Sequence, residues 1–422
     1  MKKLNSKKWC RVPIVELCEA HVDCVNRTAP IVDSPTPYKM IRTTNVRDGY
    51  IDTENVRYVT EETYKKWTRR LIPKRGDVIL TREAPLGEVG KIRSGDQIFL
   101  GQRLYQFRTN PKKLDADFLL YALLYDDLQG QVRGYGSGAT VEHMRLEDIP
   151  CLEISLPRIE DQRKIASILS AYDNLIENNL RRIKIMEEMA KNLYREWFVK
   201  FRFPGHEHAR FIDSPLGMIP EGWEVKKLDQ VASFQNNGTV AGEHLRNRVY
   251  LPIDCIPRKS LAISEINLWT EAQSSLHLFD SGDILFGAMR PYFHKVVVAP
   301  FKGVTRKTCF VFKSRLPEYY AFTVLTLFQE STVSFANAHT KGATIPYAVW
   351  PNAMDSMPVI VPQLQQAKQF QDAVGTMIAK IGTMFFQNTN LRLTRDLILP
   401  KLISGEVDVS ELDITMSDEE AA

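Results

Sequence analysis

Arginine, asparagine and threonine side chains can offer hydrogen bonds to the edges of nucleic-acid bases, whereas lysine and main-chain amides mostly hold phosphate oxygens. The 422-residue chain groups such residues in two separate stretches. The first contains Arg42-Thr43-Thr44-Asn45, Arg69-Arg70, Lys74-Arg75, Arg82, Arg103 and the segment Arg133-Gly134-Tyr135-Gly136-Ser137-Gly138. The second contains Arg246-Asn247-Arg248, Arg258-Lys259, Arg290-Pro291-Tyr292, Lys295, Arg306-Lys307 and His339-Thr340-Lys341. One such residue alone is usually a solvated surface charge. Two parallel sets form a better candidate recognition surface, with Arg42, Asn45, Arg103, Arg290 and Lys341 as the leading contacts.

No bond-making chemistry is legible beside these clusters. The chain lacks a Gly-x-x-x-x-Gly-Lys-Ser/Thr loop for nucleotide phosphates. It also lacks an Asn-Pro-Pro-Tyr or Asp-Pro-Pro-Tyr segment, the loop expected for amino-methylation of a base. The glycines around Tyr135 follow a helical stretch and not a strand, so they read as a flexible turn. Cys18, His21 and Cys24, with Cys10 nearby, match no familiar zinc spacing, and buried cysteines are common. His206 and His208 fall in a polar linker, where solvation is the expectation. The sequence thus predicts no catalytic residue, no metal site and no resident cofactor.

The elements that must position the clusters are duplicated. Gly76-Asp77-Val78-Ile79-Leu80 returns as Gly282-Asp283-Ile284-Leu285-Phe286, Gly138-Ala139-Thr140 as Gly342-Ala343-Thr344, and Leu156-Pro157 as Val361-Pro362. Every offset is about 205 residues, the mark of an internal repeat. A chain of two similar halves has a natural pseudo-twofold axis, and duplex DNA is the leading ligand with matching symmetry. Strands are expected over residues 77–81, 101–108, 283–287, 295–299 and 308–313, and helical stretches over 116–131 and 317–334. This is α+β material, its strands open to curling into a barrel.

After each repeated proline comes a long helix. The first carries Ile165, Leu169, Tyr172, Ile176, Asn179, Ile183, Met186, Ala190, Leu193 and Trp197 at alternating spacings of four and three. That is a coiled-coil seam, and Pro204-Gly205 should end it. The second carries Phe370, Val374, Met377, Ile381, Met384, Asn388, Leu391, Arg395, Ile398 and Leu402, and should end near Pro400. Two amphipathic helices packed separately would not need so strict a period. Each seam holds one asparagine, a residue that sets register. Antiparallel helices in which Asn179 meets Asn388 would place Ile176 by Leu391, Leu169 by Ile398, Ile183 by Met384 and Ala190 by Met377. The apolar seam alone would tolerate a shift of one heptad.

These features divide the chain into residues 1–157, a first module; 158–204, a first spacer helix; 205–362, a linker and second module; 363–400, a second spacer helix; and 401–422, an acidic tail. A length of 422 residues suits two globular modules with connectors. The net charge of +4 and a pI near 8.6 admit nucleic acid without demanding it, so any basic surface must be local. Lys2, Lys3, Lys7 and Lys8 hint at a signal peptide, but Arg11 and Glu16 interrupt the apolar stretch it would need. No apolar run is long enough to span a bilayer. Six scattered cysteines suit reduced thiols, so the cytoplasm is the expected compartment.

The chain resembles the specificity subunits of type I restriction–modification systems. The resemblance rests on Gly138-Ala139-Thr140 leading to Leu156-Pro157 and Glu160-Asp161-Gln162-Arg163-Lys164-Ile165. It continues through Leu193-Tyr194-Arg195-Glu196-Trp197-Phe198 and Leu397-Ile398-Leu399-Pro400-Lys401-Leu402-Ile403-Ser404-Gly405-Glu406-Val407. It covers nearly the whole chain. The second copy departs at Gln365-Gln366-Ala367, which replaces Glu160-Asp161-Gln162, and at Arg395, which stands where the first seam has Ala190. The resemblance implies two target-recognition domains separated by two long antiparallel coiled-coil helices. It implies a non-catalytic reader of a bipartite, asymmetric site in double-stranded DNA, with the helices setting the gap. It also implies docking of two methyltransferase subunits and assembly with ATP-dependent restriction subunits, so that S-adenosylmethionine, ATP and magnesium belong to partners. The readings it competes with are a scaffold that binds proteins through paired modules, and an enzyme whose site is hidden.

Overall fold

The computed structural model describes residues 9–138, 142–273, 275–342 and 344–414. Ala139, Thr140 and Ala343 of the repeated Gly-Ala-Thr motif lie outside the described residues, as do Lys2, Lys3, Lys7, Lys8 and the acidic end 415–422. The chain forms two compact units, one from residues 1–174 and 391–422, the other from residues 175–390.

In the first unit, four antiparallel strands run in the order Cys18–Asp23, Leu104–Thr109, Val78–Arg82, Leu86–Lys91. Side chains alternate faces along a strand. Val78 and Leu80 accordingly enter one core with the short helices, while Ile79 enters another with Ile41, Ile98 and Leu100. The second face is covered by a sheet of Arg57–Tyr58, Tyr38–Ile41 and Gln97–Leu100, whose last pair is parallel. Cys10–Pro13 pairs with Glu153–Leu156 and ties the two ends of the module together.

The second unit repeats this plan. Its main sheet runs Ala232–Phe234, Cys309–Ser314, Ile284–Gly287, Val296–Val298. A second sheet of Gly238–Val240, Ser275–Phe279, Gly303–Arg306 and Val249–Tyr250 again ends in a parallel pair. Glu224–Lys227 pairs with Pro358–Val361 as the tie. The sheets are open and short-stranded, too small for the closure and shear of a barrel, which corrects that part of the sequence reading.

The repeated Gly-Asp motif builds a turn. Gly76 and Gly282 have φ of 95° and 90°, a region open chiefly to glycine. Asp77 Oδ2 accepts the Lys74 main-chain N–H, and Asp283 Oδ2 accepts that of Asp280, both at 2.8 Å. Each buried carboxylate also meets a cation on the neighbouring strand, Arg108 at 2.7 Å and Lys313 at 3.6 Å. The helical stretches are broken as well as duplicated. Ala116–Leu124 turns into Asp126–Gly134 at Tyr125, and Tyr320–Phe328 into Glu330–Ala338 at Gln329; both hinge residues are extended, with ψ of 148° and 143°. The acidic residues after each hinge favour a fresh helix N-terminus, and the second helix keeps one face in the core, through Leu128 and Val132 in the first unit and Val333 and Ala336 in the second. The segment 204–220 holds a small hairpin, Phe211–Ile212 with Ile219–Pro220, and Ile219 enters the core of the second unit.

The long helices span Ile159–Tyr194 and Leu364–Ile403. The first closes in a π-helical turn over Arg195–Val199, before Pro204, where Trp197 and Phe198 pack on Phe370. The second runs through Pro400, because Leu402 and Ile403 are buried in the core of the first unit. Gly405, at φ 73°, then stops it, with the Val407 N–H donating to Lys401 O at 3.0 Å. Residues 401–414 are thus not a free tail: Val409 is buried and Lys164 Nζ donates to Ser410 O at 2.7 Å.

Within each unit the two helix segments run antiparallel. In the first, Ile165 and Leu169 share a core with Leu399, Leu402 and Ile403. In the second, Ile183 packs with Ile381 and Met384, and Asn179 Nδ2 donates to Asn388 Oδ1 at 2.9 Å. Ile176, Phe370 and Val374 are buried along the same seams, and Tyr172 and Met377 are partly so. Arg395, the polar intruder on the second seam, reaches Asp173 at 2.6 Å. That carboxylate is 1% exposed and also accepts the Tyr121 hydroxyl at 2.7 Å. Burial weakens the Arg395 charge, yet Asp173 beside it holds the guanidinium above its usual range.

Removing one partner of such a pair strands a buried charge. Asp173→Ala should cost about 3–5 kcal/mol in urea unfolding, while adding Arg395→Leu should recover part of it, since Arg93 also lies 3.6 Å from that carboxylate. Equal loss in the single and double variants would mean that the pair does not hold this core.

Candidate nucleic-acid interface

The strand Val78–Arg82 carries Arg82 to the rim of its sheet, where four loops of the first unit meet. Thr43 Oγ1 donates to Ala84 O at 2.8 Å, joining the 42–45 turn to the loop after the strand. The Arg82 N–H donates to Arg103 O at 2.8 Å, joining that strand end to the turn before Leu104. Glu83 and Ser137 each pair with His143 in β-bridge geometry, which brings Ser137 and His143 to the rim. Arg103 Nε lies 3.2 Å from Glu83 Oε2, and Arg82 Nη1 donates to Met144 O at 2.9 Å. Thr44 is exposed at the same turn, and Tyr135 leans half-buried on the core.

Other candidates serve the fold. Asn45 is buried; its Oδ1 accepts the Arg42 N–H at 2.9 Å and its Nδ2 donates to Asn55 O at 3.0 Å. Arg42 is half-buried, with Nε enclosed. Lys74 and Arg75 are exposed but precede the strand that Glu83 follows, so its length, about 16 Å, separates them from Arg103.

The second unit assembles the same rim. Met289 and Lys341 each pair with Tyr347, as Glu83 and Ser137 pair with His143. The Ala288 N–H donates to Thr308 O at 2.9 Å, as Arg82 does to Arg103. Arg290 has φ of 51°, matching Ala84, and its N–H donates to Pro346 O at 2.8 Å. Tyr292 is half-exposed, Lys341 and Arg246 are exposed, and the Arg258 guanidinium lies 3.9 Å over the Phe293 ring. Lys295 instead spends its ammonium on Ile253 O at 2.7 Å, and His339 stacks on Phe335 with its Nδ1 2.8 Å from Phe335 O.

Glu83, His143 and Tyr347, which knit these rims, were not among the sequence candidates. The repeat could have found them, because the bridge 83/143 recurs as 289/347. Elsewhere, of the cysteines weighed for zinc, Cys10 is exposed and Cys18 and Cys24 are engaged within the fold. The Cys18 thiol donates to Ile14 O and is pushed up to about 12 by burial, Cys24 Sγ accepts the Arg103 N–H, and His21 meets the Tyr105 hydroxyl. Among the described residues no group of His, Cys, Asp or Glu is placed to hold a metal ion, and no helix is long and apolar enough to cross a membrane.

The two kinds of candidate should separate by stability. Asn45→Ala removes buried bonds and should cost about 1–3 kcal/mol, whereas exposed Thr44→Ala should stay within about 0.5 kcal/mol. Thermal unfolding of both variants measures this; equal midpoints would return Asn45 to the surface set.

Residues 7–187 match the type I restriction modification DNA specificity domain. The chain is 27% identical over 376 residues to the type I restriction enzyme MjaIX specificity subunit of Methanocaldococcus jannaschii, covering 84% of this chain and 83% of that one. It is 24% identical over 342 residues to the EcoDI specificity subunit of Escherichia coli, covering 72% and 73%. A crystal structure of the type I restriction–modification S subunit from M. genitalium superposes with a TM-score of 0.58 at 15% identity, over 95% of this chain and 98% of that one, a likeness of fold. The domain match and the relatives make the chain similar to the specificity subunits of type I restriction–modification systems, and the solved S subunit shares its fold.

Proposed function

We propose that the chain is a non-catalytic reader of a bipartite, asymmetric site in double-stranded DNA. Each unit reads one half-site through its rim, and the long helices set the gap. The observation that carries this reading is the rim built twice on one plan, 83/143 and 289/347, with different exposed side chains on each copy. One scaffold with two faces suits two different half-sites. Thr43, Thr44, Arg82, Arg103, Tyr135 and Ser137 in the first unit, and Arg246, Arg258, Arg290, Tyr292 and Lys341 in the second, form the proposed surface. Lys74 and Arg75 are placed for phosphate contact. Two modification subunits with adenine methyltransferase chemistry would dock on the helices and modules, and ATP-dependent restriction subunits would join them. S-adenosylmethionine, ATP and magnesium would belong to those partners.

Methylation mapping in cells carrying the complete system tests the reading, because the methylated motif is the site. Exchanging the first module, residues 1–157, for that of another family member should change one half-site only; a change in both would reject independent reading. An alanine at a base-reading arginine should cost about 1–3 kcal/mol and relax one position, whereas a lost phosphate contact weakens all sequences alike.

A further mapping tests the helices as a ruler. One heptad inserted near Asn179 and one near Asn388 keep the seam and lengthen each helix by about 10.5 Å. At about 3.4 Å per base pair, the gap should widen by about three base pairs with both half-sites unchanged. An active variant with its original gap would mean that partner subunits set the spacing.

A further inference from the structure

We propose that Arg103 reads a guanine in the half-site of the first unit and that Glu83 is the positioning residue that aims it; the assignment rests on the DNA-reading function above. Arg103 differs from the other candidate arginines of its unit in being fixed at the main chain and along the side chain while its far edge stays open. Its φ of 71° lies in the left-handed region, which few side chains adopt. The Arg103 N–H donates to Cys24 Sγ at 3.1 Å, and its carbonyl accepts the Arg82 N–H at 2.8 Å. Its Nε lies 3.2 Å from Glu83 Oε2, yet the side chain is 50% exposed. Glu83 is held in turn by its bridge to His143.

A guanidinium is a planar fork of five donors. With the Nε side facing the Glu83 carboxylate, the two terminal nitrogens form the outward edge. Two parallel N–H groups on that edge complement the O6 and N7 acceptors of guanine in the major groove. Adenine presents a donor where guanine has O6, so the same fork meets one acceptor and one clash of donors. The ion pair also orders a long side chain before any ligand arrives, which lowers the entropy lost on binding. Arg82 cannot act alike, since its Nη1 is held by Met144 O. At the equivalent places the second unit has Met289 and Thr308, which cannot form the pair. A guanine demanded in this way belongs to one half-site only.

The test uses the full chain assembled with its modification partners and a pool of random-sequence duplexes, from which retained DNA is sequenced. The wild type should enrich a motif with a guanine in the half-site of the first unit. Arg103→Ala and Arg103→Lys should each reduce preference at that guanine about tenfold or more, because lysine keeps the charge and loses the fork. Glu83→Ala should weaken the same position, and Glu83→Gln, which keeps an acceptor oxygen, should restore part of it. All four variants should keep the second half-site and the wild-type melting temperature. An unchanged motif in both Arg103 variants overturns the assignment, as does an equal loss on every sequence or a loss confined to an A·T pair. A wild type that enriches no sequence overturns the DNA-reading function itself.

Discussion

Each module contains a helix that its own sheets cannot cover, and the rest of the structure follows from that need. Phe118, Leu119, Leu120, Tyr121 and Leu123 are fully buried around the circumference of one short helix. A helix apolar on all sides must be enclosed on all sides. The sheet covers part of it; Ile165 and Leu169 of the first long helix, with Leu399, Leu402 and Ile403 of the second, join the same core. In the second unit Phe322, Val324 and Leu325 are enclosed by the sheet, by Tyr194, Trp197 and Phe198 at the end of the first long helix, and by Phe370, Val374 and Ile378 of the second. The long helices are therefore core elements at their ends as well as seams along their length. That is why the compact units divide inside the helices, between residues 174 and 175 and between 390 and 391, and not at the prolines that precede them.

What was legible in the sequence is what repeats. The Gly-Asp turns, the main-sheet strands after them and the meeting of Asn179 with Asn388 all leave periodic or duplicated traces. The breaks at Tyr125 and Gln329 left none, because a hinge between two buried helices needs no glycine or proline when acidic residues can open the next helix. Pro400 pointed the wrong way: proline removes one helical hydrogen bond, and the burial of Leu402 and Ile403 outweighs that loss. The candidate surface was legible as a region and not residue by residue. The side chains that can bond to base edges also bond to main chain, and Asn45 and Lys295 serve the fold in this way. Composition cannot separate the two uses; burial can.

The two units also show where a duplicated fold is free to diverge. The turn-forming aspartates persist, because losing either would leave a main-chain N–H and a neighbouring cation unmatched. At the heads of the long helices the solution has shifted by a turn. Gln162 accepts the Asp115 N–H and donates to Lys113 O and Pro157 O. Ala367 stands at its place in the second unit, and Gln371 accepts the Ala321 N–H instead. At the rims the exchange is complete: a left-handed alanine in one unit is a left-handed arginine in the other, and the Glu83–Arg103 pair gives way to Met289 and Thr308. Backbone geometry is kept where it shapes the rim, and the side chains that it presents are released to vary.

Register is the remaining constraint, and apolar packing cannot supply it. An antiparallel pair with an apolar residue at every seam position packs nearly as well after a slip of one heptad. Each unit breaks that degeneracy with one buried polar match, Asn179 with Asn388 in the second and Asp173 with Arg395 in the first. A slip of one heptad either way would break both matches, and an unmatched buried charge is the costlier of the two to leave. The ion pair is drawn further into the first unit by Tyr121, which rises from the fully buried short helix to meet the same carboxylate. The contact that fixes how the helices align is therefore also a contact that fixes the module upon them, and register and module placement cannot change independently.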